Sequence, residues 1–215
     1  MSVPEVDRAD LLSVPAELVE RAAALASGPG RALLGVVGPP GAGKSTLAEA
    51  LVGALGERAV LVPMDGFHLA DTELARLGRS TRKGAPDTFD AAGYVQLLRR
   101  LRERTDEVVY APVFRRELEL AEAGALPVPR SVPLVVTEGN YLLLDGPFAP
   151  VRDLLTECWY ADVEPGLRLE RLVARHVRHG RTREQAERWV RSTDEPNARL
   201  IESTRERADV VVVLD

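Results

Sequence analysis

The sequence has a single cysteine, no long apolar run and no excess of positive charge. Cys158 is the only cysteine among 215 residues, so an internal disulfide is impossible, which suits a reducing compartment. No stretch approaches the roughly 20 apolar residues that a membrane-spanning helix needs. Glu5, Asp7 and Asp10 stand where a signal peptide would carry positive charge. We therefore expect a cytoplasmic protein without a membrane segment.

The charge balance excludes one large class of function. The net charge is −5, with 28 Lys and Arg against 33 Asp and Glu, whereas a general nucleic-acid binder needs a basic surface. A local basic pocket stays compatible with this balance. The length and a hydrophobic content of 45% indicate one globular domain over residues 1–215. The oligomeric state is left open, a homodimer included.

Short apolar runs alternate with segments of helical spacing. The candidate strands are Ala32–Val37, Ala59–Met64, Val108–Phe114, Pro133–Thr137, Cys158–Val163 and Ala208–Leu214. The candidate helices lie near 70–77, 90–104, 147–156, 164–179 and 183–205, and a further helix is expected within residues 1–30. This alternation predicts an α/β fold whose mainly parallel sheet is covered by helices on both faces.

A glycine-rich segment follows the first strand candidate directly. Its residues are Gly38, Pro39, Pro40, Gly41, Ala42, Gly43, Lys44, Ser45 and Thr46. Gly38, Gly43, Lys44 and Ser45 fit the phosphate-loop pattern, which cradles phosphates with backbone N–H groups at a helix start. Lys44 would neutralise the β- and γ-phosphates and Ser45 would ligate magnesium. The segment therefore predicts a site for a nucleoside triphosphate with Mg²⁺.

Binding a triphosphate does not define the reaction. The chain lacks the N-K-x-D motif of guanine-specific switches, and the apolar run from Leu134 ends in Glu138 rather than in the Asp of transport and helicase ATPases. Asp65, at the end of the second strand candidate, would face the phosphate loop and take a proton from an acceptor hydroxyl. Taken alone, Asp65 is better explained as a turn residue before Gly66.

The ordered motifs decide between these interpretations. GPPGAGKST, MDGFHL, KGAPDTFD, TEGNYLLLD and RLERLVARHVRHGR resemble the superfamily of uridine kinase, phosphoribulokinase and bacterial pantothenate kinase, from about residue 31 to the C-terminus. The resemblance is strongest to its nucleoside- and sugar-kinase-like members, such as fructose transport system kinases. It implies a P-loop NTPase fold with a five-stranded sheet and a small helical lid, and transfer of phosphate from ATP to a hydroxyl. The alternatives are a pantothenate kinase-like enzyme and a nucleotide-dependent regulator or chaperone.

The resemblance also assigns roles to residues of the acceptor side. It implies that Asp65 is the base and that Glu138 lies near magnesium and acts through water. Phe67 and His68 are expected to line the acceptor pocket, although a structural role for His68 is equally open. Two further residues of the matching motifs, Asp87 and Tyr141, complete the expected substrate contacts.

Two departures from the family pattern bear on the acceptor. Uridine kinases have an acidic residue two positions before the proline of P-D-x-F-D, whereas this chain has Gly84, preceded by Arg82 and Lys83. We expect an acceptor other than uridine, one that carries a carboxylate or phosphate, while a solvated basic loop remains the alternative. Arg115 replaces the usual aspartate after an aromatic residue, and the sequence does not decide whether it faces water.

Arginines recur at three- and four-residue spacing in the last motif. Arg168, Arg171, Arg175 and Arg178 therefore share one helical face within residues 164–183, the expected lid. Cations that close over a transferring phosphoryl group stabilise its charge. Together with the resemblance, this favours Arg171 and Arg175 as catalytic contacts to phosphate. A solvent-exposed face balanced by glutamates is the alternative.

Overall fold

A parallel five-stranded sheet forms the centre of the protein, whose computed structural model describes residues 14–214. The strands in chain order are Ala32–Val37 (β1), Ala59–Leu61 (β2), Val108–Arg115 (β3), Leu120–Pro129 (β4), Leu134–Gly139 (β5), Glu157–Asp162 (β6) and Val210–Val213 (β7). The sheet order is β2-β5-β1-β6-β7, and all of its pairings are parallel. The predicted parallel five-stranded sheet is confirmed.

Helices cover the sheet on both faces. They are Ala16–Leu25 (α1), Lys44–Leu55 (α2), Asp71–Arg76 (α3), Ala91–Glu103 (α4), Ala149–Leu154 (α5), Pro165–Arg178 (α6), Arg183–Trp189 (α7) and Glu195–Glu202 (α8). Successive residues of a strand point to opposite faces. Leu33 and Val37 of β1 pack in the core that contains α4 and α5, whereas Leu34 and Val36 pack in the core that contains α1 and α2. Both β1 and β5 are consequently buried along their whole length.

The third strand candidate lies outside this sheet. The segment predicted as Val108–Phe114 is β3, which pairs antiparallel with β4 to form a separate hairpin. The sequence did not predict β4, because Gly124, Pro127 and Pro129 interrupt its pattern. The hairpin turn between the two strands contacts the site described below.

Two helix predictions need correction. The single C-terminal helix expected over 183–205 is instead α7 and α8, joined by a π-helical turn over Val190–Asp194. The expected N-terminal helix is α1, and the part of that prediction before residue 14 lies outside the described residues. None of the helices in residues 14–214 is long and apolar enough to cross a membrane.

Candidate active site

The phosphate loop connects the central strand β1 to α2. Gly41 and Gly43 adopt left-handed backbone conformations, with φ of +83° and +89°. Lys44 is the first residue of α2, and its Nζ donates to the carbonyl oxygen of Pro39 at 3.0 Å. The N-terminal end of α2, with its unpaired N–H groups, therefore faces the space that the loop encloses.

The loop packs tightly against its neighbours. A Cβ on Gly38 would lie 2.6 Å from the carbonyl oxygen of Ala161 in β6. A Cβ on Gly41 would lie 2.9 Å from the carbonyl oxygen of Arg168 and 2.8 Å from Cγ of Leu172, both in α6. These distances are too short for any side chain, so both positions require glycine.

Arg168 fixes the same contact from the side of α6. Its buried guanidinium forms an ion pair with Glu195 and donates to the carbonyl oxygen of Pro40 at 3.4 Å. Of the arginines that share one helical face, Arg168 therefore contacts the phosphate loop and does not line the cavity described below.

Two buried charged groups lie beside the loop. Glu138 of β5 is paired in register with Val36, and its Oε1 accepts a hydrogen bond from Ser45 Oγ at 3.2 Å. Burial, with the nearby charge of Asp65, raises the pKa of Glu138 to about 7. Burial also lowers the pKa of Lys44 to about 8, against the attraction of Glu138. Lys44 therefore lacks the negative charge that a bound polyanion would supply, and Glu138 lacks the positive charge that a bound cation would supply.

Asp65 lies on a short 3₁₀ turn, Met64–Phe67, which follows β2. Its Oδ2 accepts a hydrogen bond from Nη2 of Arg116 at 3.1 Å. Arg116 belongs to the turn between β3 and β4, and about half of its side chain is exposed. The hairpin thus places a cation directly on the carboxylate that the sequence predicts as the base.

A cavity of about 620 Å³ joins these groups. The predicted site residues that line it are Pro40, Lys44, Ser45, Asp65, His68, Lys83, Glu138 and Arg175. Burial, and then the charge of Arg116, lowers the pKa of the Arg175 guanidinium. The phosphate loop, the acidic residues and one arginine of α6 therefore meet in one place.

Other predicted site residues lie outside this lining. Phe67 packs edge-on against Tyr94, with ring centroids 5.3 Å apart. Tyr141 is buried, and its hydroxyl donates to the carbonyl oxygen of Gly84. Arg82 forms an ion pair with Asp87.

Two more arginines that the sequence singled out also lie outside the cavity. Arg171 is not among the residues that line it. Arg115 is exposed and forms an ion pair with Glu122. The structure thus brings Arg175, but not Arg171 or Arg115, to the cavity.

Sequence reasoning assigned no role to His176 and Trp189, which contact Arg181 beyond the end of α6. Arg181 donates from Nη1 to Nδ1 of His176 at 2.9 Å and lies 4.0 Å from the ring centroid of Trp189. His176 in turn contacts Oδ2 of Asp194 through Nε2 at 2.8 Å. All four side chains line the cavity.

The oxygens beside the loop fit magnesium. Ser45 Oγ and Glu138 Oε1 lie together at the cavity wall, and both are hard oxygen ligands. Within residues 14–214 there is no cluster of three or more His, Cys, Asp or Glu that could hold a metal ion by itself. Magnesium typically takes few protein ligands and completes its shell with phosphate oxygens and water. The donor set therefore suits a Mg²⁺ ion that arrives with a nucleotide.

Comparison with known proteins gives consistent results. No family model matches the chain. A protein of Schizosaccharomyces pombe named "putative uridine kinase" is 33% identical over 220 residues, which cover 97% of this chain and 93% of that protein. A crystal structure named "putative fructose transport system kinase", from Silicibacter sp. TM1040, has a TM-score of 0.82 at 36% identity, covering 92% of this chain and 98% of the other. The pantothenate kinase of Mycolicibacterium vanbaalenii is 31% identical over 135 residues, 60% of this chain and 43% of that enzyme.

Proposed function

The chain belongs to the P-loop kinase superfamily of uridine kinase, pantothenate kinase and phosphoribulokinase, and from this premise we propose that it transfers the γ-phosphoryl group of ATP to a hydroxyl of a small metabolite. One observation carries the proposal: the carboxyl ends of three neighbouring strands place the proposed base, a metal ligand and the phosphate loop around one cavity. Asp65 follows β2, Glu138 is the second-to-last residue of β5, and the phosphate loop follows β1. Ligands of doubly wound sheets bind beyond this carboxyl edge.

The chemistry assigned to these residues is an in-line displacement. The acceptor oxygen forms a bond to the γ-phosphorus as the bond from that phosphorus to the β–γ bridging oxygen breaks, and ADP leaves with the electron pair. The hydroxyl proton moves to the carboxylate of Asp65. Lys44 and Arg175 stabilise the negative charge on the transferring group, as arginines and lysines do in other phosphoryl transfers.

Ser45 and Glu138 are the residues that would hold the metal ion. Mg²⁺ bound there would neutralise charge on the β- and γ-phosphates. Glu138 is ready for this role because burial leaves its carboxylate without sufficient counter-charge. Ser45 is placed by the first turn of α2, directly after Lys44.

The acceptor side disfavours a nucleoside, which leaves a sugar or another small hydroxyl compound as the acceptor. His68 lies between two aromatic rings, with ring-centroid distances of 4.1 Å to Phe89 and 4.7 Å to Phe114. A flat base would have to displace this histidine to stack there. Gly84, at the position where uridine kinases have an acidic residue, has a φ of +98°, a conformation that disfavours any side chain.

Residues 164–183 are proposed to act as a lid over the nucleotide. They carry Arg175 and Arg181, both of which line the cavity, and they contain Gly180 just beyond the end of α6, with a φ of +91°. Lids of this kind complete a catalytic site only when the substrates are bound.

The test is acceptor-dependent release of ADP, screened over sugars, nucleosides, pantothenate and hydroxy acids. Asp65→Asn removes the base with little change in shape, and we expect kcat to fall by about 10²- to 10⁴-fold while ATP affinity changes little. Asp145→Asn is the matched control, since Asp145 forms an ion pair with Arg207 at the surface. Full activity of Asp65→Asn would refute its role as base. ATP binding without turnover of any acceptor would favour a regulator over a kinase.

A further inference from the structure

The proposed kinase activity leaves the chemical class of the acceptor open. Resting on that function, we infer that the acceptor carries a carboxylate or phosphate close to its reacting hydroxyl, and that Arg116 of the β3–β4 turn binds this group. The inference starts from the ion pair between Arg116 and Asp65.

That ion pair competes with the reaction for the carboxylate of Asp65. The guanidinium of Arg116 occupies Oδ2, one of the two oxygens that could accept the proton of the acceptor hydroxyl. When the acceptor hydroxyl takes this place, Arg116 leaves Asp65 and needs another anion instead of the carboxylate.

Among residues 14–214, the ion pair that Arg116 forms is the one with Asp65. Its charge also acts favourably on Glu138, but Glu138 is the proposed ligand of Mg²⁺. The charge of Arg116 acts unfavourably on Lys44 and on Arg175, both of which face the same cavity. Arg116 follows Phe114 closely in the chain, and Phe114 packs against His68 of the expected acceptor pocket. We therefore assign the missing anion to the acceptor.

The basic residues that the sequence suggested for this role are already neutralised. Arg82 forms an ion pair with Asp87. Lys83 Nζ contacts Oδ1 of Asp71 at 2.7 Å and Oε2 of Glu119 at 3.3 Å. The contact with Glu119 ties the hairpin turn to the loop that carries Lys83. Lys83 thus positions the turn that carries Arg116. Arg116, rather than Arg82 or Lys83, is then the cation that binds the anionic group of the acceptor.

The geometry limits the size of the acceptor. Arg116 Nη2 and Asp65 Oδ2 are 3.1 Å apart, so the anionic group and the reacting hydroxyl must be close neighbours in one molecule. His68 fills the space between Phe89 and Phe114, which removes a stacking slot for an aromatic ring. Small hydroxy acids and sugar phosphates meet both requirements.

Matched acceptor pairs test the inference. Glycerate with glycerol differs by a carboxylate, and fructose 6-phosphate with fructose differs by a phosphate. In the coupled ADP assay, we expect kcat/KM to favour the charged member of every active pair by at least about tenfold, the order of one charge-assisted contact. The carboxylate and phosphate pairs distinguish the two anions.

Arg116→Gln and Arg115→Gln form the matched variants. Arg115 is the neighbouring arginine, pairs with Glu122 and does not line the cavity. Arg116→Gln should raise KM for the charged acceptor about 10- to 100-fold and reduce the preference within a pair by at least tenfold, with little change in KM for ATP. Arg116→Lys should restore part of the preference, and Arg115→Gln should retain all of it.

Each outcome separates this inference from the proposed function. Turnover of neutral acceptors at rates equal to their charged partners would overturn the anionic acceptor and leave the kinase intact. A loss in Arg116→Gln that is equal for both members of a pair would also overturn it, because Arg116 would then act on Asp65 alone. Failure of every acceptor to stimulate ADP release would overturn the kinase activity itself, and the inference with it.

Discussion

Binding of ATP with magnesium should change the protonation of Lys44. In the free protein, burial lowers the pKa of this ammonium group to about 8, although Glu138 attracts it. A bound triphosphate brings negative charge to Nζ and raises the pKa again. At pH 8, about half of the Lys44 side chains are neutral before binding, so each complex should take up about half a proton.

Glu138 contributes with the opposite sign. Burial raises its pKa to about 7, and the form that faces a metal ion is the carboxylate. At pH 8 most of this group is already ionised, so its release of protons is small and a net uptake remains. At pH 6.5, Lys44 is already charged and most of Glu138 is protonated, so binding should instead release protons.

Isothermal titration calorimetry measures this proton exchange. ATP with excess magnesium is titrated without acceptor, in pairs of buffers that differ in ionisation enthalpy, at pH 8 and at pH 6.5. Lys44→Arg is the control, because arginine keeps the charge but does not titrate. Its complex should show no uptake at pH 8. An uptake in wild type that is the same at both pH values, or one that survives in Lys44→Arg, would refute the reasoning.

Two further predictions concern the loop and the lid. Gly41→Ala should lower the free energy of unfolding by about 1–3 kcal/mol and weaken ATP binding, because the φ of Gly41 is +83° and a Cβ would meet the backbone of α6. The control is Gly53→Ala, whose Cβ meets no atom within 4 Å and which should gain up to about 1 kcal/mol in the same thermal melts. An equal effect of both substitutions would contradict the packing argument. Arg175→Ala should reduce kcat about 10³-fold or more in steady-state assays, because Arg175 lines the cavity. Arg178 is exposed, so Arg178→Ala should retain wild-type turnover. Equal losses in both variants would argue against a contact between Arg175 and phosphate.

Most of the sheet could be predicted from the sequence because its strands are buried on both faces. Runs such as 32–37 and 134–139 lack polar alternation, and the phosphate loop fixes where the first of them ends. The hairpin could not be predicted in full. Residues 120–129 contain glycine and prolines, which interrupt the pattern of a strand, and hairpin edges tolerate them where central strands do not.

The candidate site was predictable only where a motif fixed the local backbone. Lys44 and Asp65 follow strands whose ends meet at one edge of the sheet, so their convergence followed from the fold. Arg171 and Arg175 differ by about 40° around α6, which spacing alone does not resolve, and only Arg175 lines the cavity. Arg116 belongs to a turn, and no periodicity indicates which of its side chains points inward.

The contact between Gly41 and α6 limits how the proposed lid can move. Arg168 and Leu172 touch the phosphate loop too closely for that part of the helix to swing as a rigid arm. Any movement is therefore confined to the part of α6 after Leu172, which is about 9 Å long up to Arg178 at 1.5 Å per residue. A bend of about 20° at Leu172 would move Arg178 by about 3 Å, which is enough to make or break one hydrogen bond from an arginine. Closing of the proposed lid would thus be a small movement at the end of α6, and a bound nucleotide that makes the phosphate loop more rigid would also make the base of this movement more rigid.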